Sequence, residues 1–221
     1  MKNFSNVKIV FLVILIYMVC VNLFYGNLFA QNIKWVKNQT HDIPFNPDLT
    51  FIPSETDKSG NVISSNINEY KLNFGSVYYG NVALKKYNSA GENLFVKIFY
   101  GKIASDFIQT DAYENIYISG TFMDTLKIDS LNFIYNTGSG LNLNYFILKL
   151  SPSGQFIWKK IINMIYSGNF ALQELKVKGE FLFTGMKNNN NAYIKKFDLN
   201  GNELMNITQQ NVFFYQQYRY R

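Results

Sequence analysis

The sequence predicts an all-β fold made of about three repeats, and three observations support this prediction. A strand–turn–strand pattern recurs along the chain, and a glycine closes the turn each time. The segments between these turns alternate apolar and polar residues, as expected for strands with one buried face. Beyond residue 30, no stretch keeps the 3.6-residue period of an amphipathic helix.

The recurring pattern consists of a lysine, an apolar residue, three turn-forming residues and a glycine. Four positions after the glycine stands a large apolar residue. Glycine accepts a positive φ without steric cost, and Asn, Asp, Ser and Pro favour turns, so each copy is predicted to form a β-hairpin. The three copies contain Lys86, Gly91 and Phe95; Lys149, Gly154 and Trp158; and Lys196, Gly201 and Met205.

A second pattern precedes each hairpin. A turn leads into a short strand of β-branched and aromatic residues that ends in small residues, over Asp57–Ser65, Asp111–Gly120 and, more loosely, Lys178–Gly185. The two patterns together predict four short strands per repeat, with repeats at about residues 50–100, 101–165 and 166–210. The repeat-defining positions of this second pattern are Asn61, Asn115, Gly120 and Gly185.

The first 30 residues have the order of a secretory signal: Lys2 and Lys8, an apolar run over Ile9–Leu23, and a small residue at Ala30. Cleavage after Ala30 would leave a mature chain that is secreted or at the outer cell surface, with the periplasm as the alternative. The apolar run has 15 residues, whereas a spanning helix needs roughly 20. An uncleaved anchor and a lipid-modified Cys20 are the other interpretations.

Composition limits the chemistry of the mature part, which we expect to be one domain over residues 31–221. It contains no cysteine, so disulfides and thiolate sites are excluded. Removal of the signal takes two lysines from 21 basic residues and leaves all 15 acidic ones, for a net charge of +4. The basic residues are scattered, so no nucleic-acid partner is predicted, and membrane association is expected only through the export signal.

The best-formed copy resembles the bacterial SBBP-type β-propeller repeat. The resemblance rests on Asn115–Gly120, Tyr145–Leu150 and Gly154–Trp158, while the copies before and after it are more degenerate. It implies an exported, cell-surface protein whose repeats bind or scaffold, and it transfers no activity.

The resemblance implies a partial or open β-propeller-like array of about three four-stranded blades. Closed propellers have about four to eight blades. Open edges can pair with other chains, so we expect either self-association through blade edges or a truncated member of a longer family.

Two loop segments are candidate sites. His41, beside Asp42, could act as a general base, but an exposed loop residue is the simpler interpretation. The segment Asp198–Asn202 resembles the start of a calcium loop, yet position twelve counted from Asp198 is Gln209, where an EF-hand has glutamate. A hairpin turn is therefore favoured.

Other candidate sites have equally simple structural explanations. Aromatic clusters could stack on sugar rings, although packing between repeats is favoured; they lie at Tyr78–Tyr79, Phe133–Tyr135 and Phe213–Tyr220. The run Asn188–Asn191 could bind carbohydrate but is typical of a loop tip. Two carboxylate pairs raise the question of glycosidase chemistry; they are Asp106 with Asp111 and Asp124 with Asp129.

No catalytic residue, cofactor or metal site is predicted. The leading hypothesis is a non-catalytic module that binds a protein or a glycan, or scaffolds a larger assembly. The alternative is a structural fragment of a larger propeller that self-associates and has no ligand of its own, and the third hypothesis is a carbohydrate-active enzyme.

Overall fold

The computed structural model describes residues 53–74, 77–135, 143–163, 170–188 and 191–210. The predicted export signal over residues 1–30, His41 and the aromatic cluster Phe213–Tyr220 lie outside these ranges. The all-β prediction is confirmed for the described residues, because every regular element there is a strand. Those residues include no helix that is long and apolar enough to cross a membrane.

Twelve strands lie in the described ranges. In chain order they are β1 (Ser54–Thr56), β2 (Val62–Phe74), β3 (Val77–Tyr87), β4 (Asn93–Thr110), β5 (Ile116–Lys127), β6 (Phe133–Tyr135), β7 (Asn144–Leu150), β8 (Phe156–Asn163), β9 (Phe170–Lys178), β10 (Phe181–Asn188), β11 (Asn191–Asp198) and β12 (Glu203–Gln209).

The strands form two antiparallel sheets. The larger sheet has the order β1-β2-β3-β4-β5-β7-β8, with β6 paired to β5, and the smaller has the order β12-β11-β10-β9. The larger sheet curls, so that strands that are not paired approach each other: the hydroxyl oxygens of Ser65 on β2 and Ser105 on β4 lie 2.7 Å apart. A curled sheet beside a separate four-stranded sheet is an open, propeller-like array.

Strand β4 contributes to two repeats. Its first part pairs with β3, from Asn93 opposite Tyr87 to Ile103 opposite Gly80. Its second part pairs with β5, ending with Thr110 opposite Ile116. We therefore define the first repeat as β1 to β3 with residues 93–100, the second as residues 101–110 with β5 to β8, and the third as β9 to β12.

The same strand register recurs in each repeat. The lysine of each hairpin is paired on one side with a residue of the preceding strand and on the other with the large apolar residue after the turn. Directly paired residues of antiparallel strands share one face of the sheet. We call each trio a lysine row; the rows are Ile63, Lys86 and Phe95; Tyr117, Lys149 and Trp158; and Phe183, Lys196 and Met205.

Apolar residues of the second repeat face two different cores. On β5, Ile116 and Ile118 pack with residues of the first repeat, whereas Tyr117 packs with residues of the third. All seven residues of β7 are buried, as expected for a strand covered on both faces. All seven residues of β12 are exposed. The second repeat is thus enclosed between its neighbours, and β12 lies at the open end of the described array.

Candidate functional site: the junctions between repeats

The repeat-defining residues meet where one repeat contacts the next. We define the first junction as the contact between the lysine row of the first repeat and the turn Ser151–Gly154 of the second. The second junction is the contact between the lysine row of the second repeat and the turn Asp198–Gly201 of the third. At both, a hairpin turn lies against the lysine row of the preceding repeat.

A buried ion pair lies at the first junction. The Nζ of Lys86 is 2.8 Å from Oδ2 of Asp57, and these side chains are 3% and 0% exposed. Lys86 also donates a hydrogen bond of 3.2 Å to the carbonyl oxygen of Pro152 in the second repeat. The lysine therefore joins a carboxylate of its own repeat to the backbone of the next.

Asp57 is held in place by its own turn. Its carboxylate accepts hydrogen bonds of 2.9 Å from the backbone N–H and from the side-chain amide of Asn61. Burial raises the pKa of Asp57, but the hydrogen bonds from Lys86 and Asn61 outweigh burial and hold the pKa below its ordinary value of 3.8. Asp57 is consequently ionised at neutral pH, as the ion pair requires.

An aromatic ring covers the turn glycine at the first junction. Gly154 has φ +81°, and a Cβ added to it would lie 2.9 Å from the Phe95 ring. Both its backbone conformation and this close approach favour glycine.

The second junction repeats this arrangement with a larger aromatic residue. Lys149 Nζ lies 3.7 Å from Asp111 Oδ2 and donates a hydrogen bond of 3.0 Å to the Leu199 carbonyl oxygen. Trp158 Nε1 donates to the same oxygen, also at 3.0 Å. A Cβ on Gly201, which has φ +86°, would lie 3.3 Å from the Trp158 ring. One carbonyl of the third repeat thus accepts two hydrogen bonds from the second.

Tyr117 completes the second junction. Its hydroxyl donates a hydrogen bond of 3.0 Å to Asp111, and its ring packs edge-on against Trp158 at a centroid distance of 6.0 Å. Lys149 Nζ lies 5.2 Å from the centre of the same ring. Burial and the neighbouring Asp111 carboxylate raise the pKa of Tyr117 far above its ordinary value, so the phenol remains a neutral donor.

The third lysine row is arranged differently. The corresponding turn of the third repeat is Lys178–Glu180, which lacks an aspartate. Lys196 Nζ instead lies 3.6 Å from the centre of the Phe181 ring. Met205 occupies the position of Phe95 and Trp158, and it is 37% exposed. The third row therefore contains the lysine of the pattern. Within the described residues, this lysine does not contact a turn of a following repeat as Lys86 and Lys149 do.

The remaining repeat-defining residues have local roles. Asn115 donates to Asp111 through its backbone and its side-chain amide, as Asn61 does to Asp57. A Cβ on Gly120 would overlap the carbonyl oxygen of Ala104, because β4 bulges there. Around Gly185 there is more room. Gly91 is buried and has φ +81°.

The structure places the other candidate sites as follows. Asp198 accepts hydrogen bonds of 2.9 Å from the backbone N–H groups of Asn200 and Asn202, which is the geometry of a hairpin turn. Hydrogen bonds from Asn202 hold the pKa of Asp198 below its ordinary value. The described residues include no group of three or more His, Cys, Asp and Glu side chains arranged to hold a metal ion.

The two carboxylate pairs are engaged separately. Asp111 belongs to the second junction, and Asp124 forms an exposed ion pair of 2.7 Å with Lys102. Asp129 accepts hydrogen bonds from its own turn, including those of Leu131 and Asn132. Asp106 lies at the bulge of β4 that faces Gly120.

The aromatic and asparagine candidates are divided between core and surface. Tyr79 is buried, whereas Tyr135 on β6 is 70% exposed and stacks with Phe133 at 6.4 Å between ring centres. Lys127 Nζ lies 5.5 Å from the centre of the Phe133 ring. Asn188 ends β10 and is paired with Asn191, which begins β11, while residues 189 and 190 of the run lie outside the described residues.

No sequence pattern assigns Asp57, Asp111 or Tyr117 to a contact between repeats, although Asp111 is one of the candidate carboxylates. The signal for the two aspartates was their spacing to Asn61 and Asn115, four positions later in both turns. That spacing predicts a turn, but it does not show that the carboxylate also reaches a lysine on a strand 29 or 38 residues further on.

The turn glycines supply a test of the junction geometry. We expect Gly60→Ala to cost about 1–2 kcal/mol, because Gly60 has φ +78° but nothing within 4 Å of an added Cβ. Gly154→Ala carries the same backbone cost and also forces the Phe95 ring to move, so we expect about 2–4 kcal/mol in total. Urea unfolding of the two variants measures the difference. Equal losses would contradict the packing of Phe95 on this turn.

Asp106 should make stability depend on pH near neutrality. Burial raises its pKa to about 7, so the folded chain keeps this proton to higher pH than the unfolded chain does. The resulting penalty on folding grows as pH rises from about 3.8 through about 7 and is complete above that range. We expect Asp106→Asn to stabilise the protein by about 1–4 kcal/mol near pH 8.5, and by little near pH 4.

Thermal unfolding at the two pH values measures this effect. Asp124→Asn is the matched control, because Asp124 is exposed and its ion pair with Lys102 is at the surface. A stabilisation by Asp106→Asn that is equal at both pH values would contradict the raised pKa.

No protein-family model matches the chain, and no curated protein matches it.

Proposed function

We propose that the chain is an exported, non-catalytic β-repeat module of the SBBP type, which binds a protein or a glycan at the cell surface or scaffolds a larger assembly. The proposal is supported by the contacts that repeat-defining side chains make with the next repeat. Lys86, Lys149, Phe95 and Trp158 all contact the following repeat. Arrays in which each repeat contacts its neighbours commonly serve as extended binding surfaces.

The exposed aromatic residues of the second repeat are the proposed glycan-binding surface. Tyr135 presents an exposed ring beside Phe133, and Leu131 in the preceding turn is 87% exposed. Lys159 Nζ donates a hydrogen bond of 2.8 Å to the Phe133 carbonyl oxygen, which ties β6 to β8. An exposed ring on a braced strand can stack on a sugar with little loss of side-chain freedom.

A glycan array probed with the mature protein tests this surface. We expect binding of wild type to be reduced about 5- to 30-fold by Tyr135→Ala, since a stacked ring contributes on the order of 1–2 kcal/mol. Tyr100→Ala is the matched control, because Tyr100 is also exposed but lies on β4. Absence of any glycan signal, together with recovery of no protein partner by cross-linking on intact cells, would overturn the proposed function.

The alternative, a fragment that completes a propeller by self-association, is favoured by the exposure of β12, an edge strand of the smaller sheet. Exposed edge strands are sites for pairing with another chain. Light scattering after size-exclusion chromatography separates the two proposals. A discrete dimer would support self-association, and a monomer across the accessible concentration range would overturn it.

A further inference from the structure

The third repeat has an outer face that corresponds in position to the faces buried at the two junctions. We define this outer face by the residues that share one side of β10, β11 and β12. They are Phe181, Phe183, Ile194, Lys196, Met205 and Ile207. Ile194 on β11 and Ile207 on the edge strand β12 are paired, and they are 46% and 47% exposed, so together they form an exposed apolar patch.

The equivalent faces of the other repeats show what such a surface binds. At both junctions the lysine donates to the carbonyl of the second turn residue, Pro152 or Leu199. At both, the large apolar residue of the row packs on the turn glycine. Lys196 and Met205 occupy these two positions on the outer face. The outer face therefore continues an interface that the protein already forms twice.

We propose that the outer face of the third repeat docks a β-hairpin of a separate protein that carries the same kind of repeat. The docked turn would present the carbonyl of its second residue to Lys196 Nζ and a glycine to Met205. The inference rests on the proposed function, since the docked hairpin would belong to the protein that the module binds.

Occupancy of the existing turns argues against a second copy of this chain as the partner. The carbonyls of Pro152 and Leu199 already accept hydrogen bonds from Lys86 and Lys149. In the first repeat, Ser89 is already engaged and Gly91 is buried. The turns of the second and third repeats are thus in use, and the turn glycine of the first repeat is buried, so a second copy would have to break an existing contact or uncover Gly91 to offer a turn.

Lys196 can supply the required hydrogen bond at small cost. Its ammonium now lies over the Phe181 ring, and Lys196 is partly exposed. A hydrogen bond from a charged donor to a carbonyl is a stronger contact than a cation over an aromatic ring at a partly exposed site. Rotation of the lysine toward a docked carbonyl would therefore be favourable, and the docked hairpin would cover Ile194 and Ile207.

The probe for the test is a synthetic hairpin with the sequence of residues 147–160, in which the paired terminal residues Ile147 and Lys160 are replaced by cysteines and joined by a disulfide. It is titrated into the mature wild-type protein by calorimetry. We expect saturable 1:1 binding. A probe with valine at the position of Gly154 is the control peptide, and we expect it to bind at least tenfold more weakly because a side chain there meets the apolar residue of the row.

Protein variants locate the binding surface. We expect Ile207→Asp to weaken binding at least tenfold, and Lys196→Met about tenfold, the equivalent of one hydrogen bond from a charged donor. Asn206→Asp is the matched control, because Asn206 is exposed on the same strand but lies opposite Lys195, on the other face. We expect it to leave the affinity within twofold. Asn206 and Ile207 are exposed and Lys196 is partly exposed, and circular dichroism checks that each variant is folded.

Three results would overturn the inference. The first is the absence of saturable binding by the hairpin probe, and the second is binding that Ile207→Asp does not weaken. The third is a dimer of the wild type that Ile207→Asp converts to monomer, since the partner would then be a second copy. None of them bears on the glycan array, whose signal depends on Tyr135, so failure here is distinguishable from failure of the proposed function.

Discussion

Replacing Lys86 by methionine is expected to lower the free energy of unfolding by about 3–5 kcal/mol at neutral pH. The substitution keeps most of the apolar stem but leaves the fully buried Asp57 carboxylate without its cation. Removing one partner of a buried ion pair is costly because the remaining charge keeps its desolvation penalty. It also removes the hydrogen bond to Pro152 that joins the first two repeats.

The matched control is Lys102→Met. Lys102 and Asp124 are as close as the buried pair, at 2.7 Å, but their side chains are 39% and 63% exposed. Solvent screens this pair, so we expect its loss to cost no more than about 1 kcal/mol. Urea unfolding of both variants measures the contrast. Similar losses would show that burial of Lys86 and Asp57 does not determine their contribution.

A double-mutant cycle and a pH series sharpen this test. We expect Asp57→Asn to restore part of the stability lost in the Lys86→Met background, because no unpaired charge then remains. The pKa of Asp57 is lowered by folding, so its contribution in wild type is fully present above about pH 3.8 and is lost as pH falls through the folded value. The stability difference between wild type and Lys86→Met should therefore shrink below pH 4. A constant difference down to pH 2 would contradict the ion pair.

Replacing Trp158 by alanine is expected to cost about 3–5 kcal/mol and to loosen the third repeat in particular. The substitution removes the ring that packs on Gly201 and against Tyr117, together with the hydrogen bond to Leu199. These contacts link the second repeat to the smaller sheet. Because arrays of this kind are stabilised by contacts between neighbours, the loss should be largest where the third repeat meets the second.

Hydrogen exchange measures where the stability is lost. We expect amides of β10 and β11 to exchange much faster in Trp158→Ala, while amides of β3 and β5 change less. Ile157→Ala is the control, since Ile157 lies on the same strand and is 47% exposed. Uniform loss of protection across both sheets would show that the repeats unfold as a single unit and that this junction has no separate role.

Much of the local structure could be predicted from the sequence because it depends on short-range chemistry. Turns such as Ser151–Gly154 are set by residue types that favour turn conformations and by a glycine that accepts a positive φ. The lysine of each hairpin stands at a constant distance from its turn, so its strand register follows from turn length. For this reason, Lys86, Lys149 and Lys196 have the same strand register relative to their turns.

The environment of the same lysines could not be predicted. Lysine is seldom fully buried, so a lysine in an alternating strand is ordinarily assigned to the solvent face. Lys86 and Lys149 are buried because a turn of the next repeat, 66 and 50 residues further along the chain, covers each of them. The carboxylate partners are Asp57 and Asp111. Hydrogen bonds from Asn61 and Asn115 explain the turns of these aspartates, so the local sequence does not indicate a further contact with a lysine.

By itself, the sequence determined the all-β class, the repeated hairpins and the positions of their turns, because these depend on alternation and on the conformations of a few residues. Only the tertiary structure decided that β4 serves two repeats and that the first two repeats share one sheet. It also decided which lysine rows are covered and which is open at Lys196 and Met205. The coverage of the lysine rows depends on contacts between residues 50 or more positions apart, which local propensities do not encode.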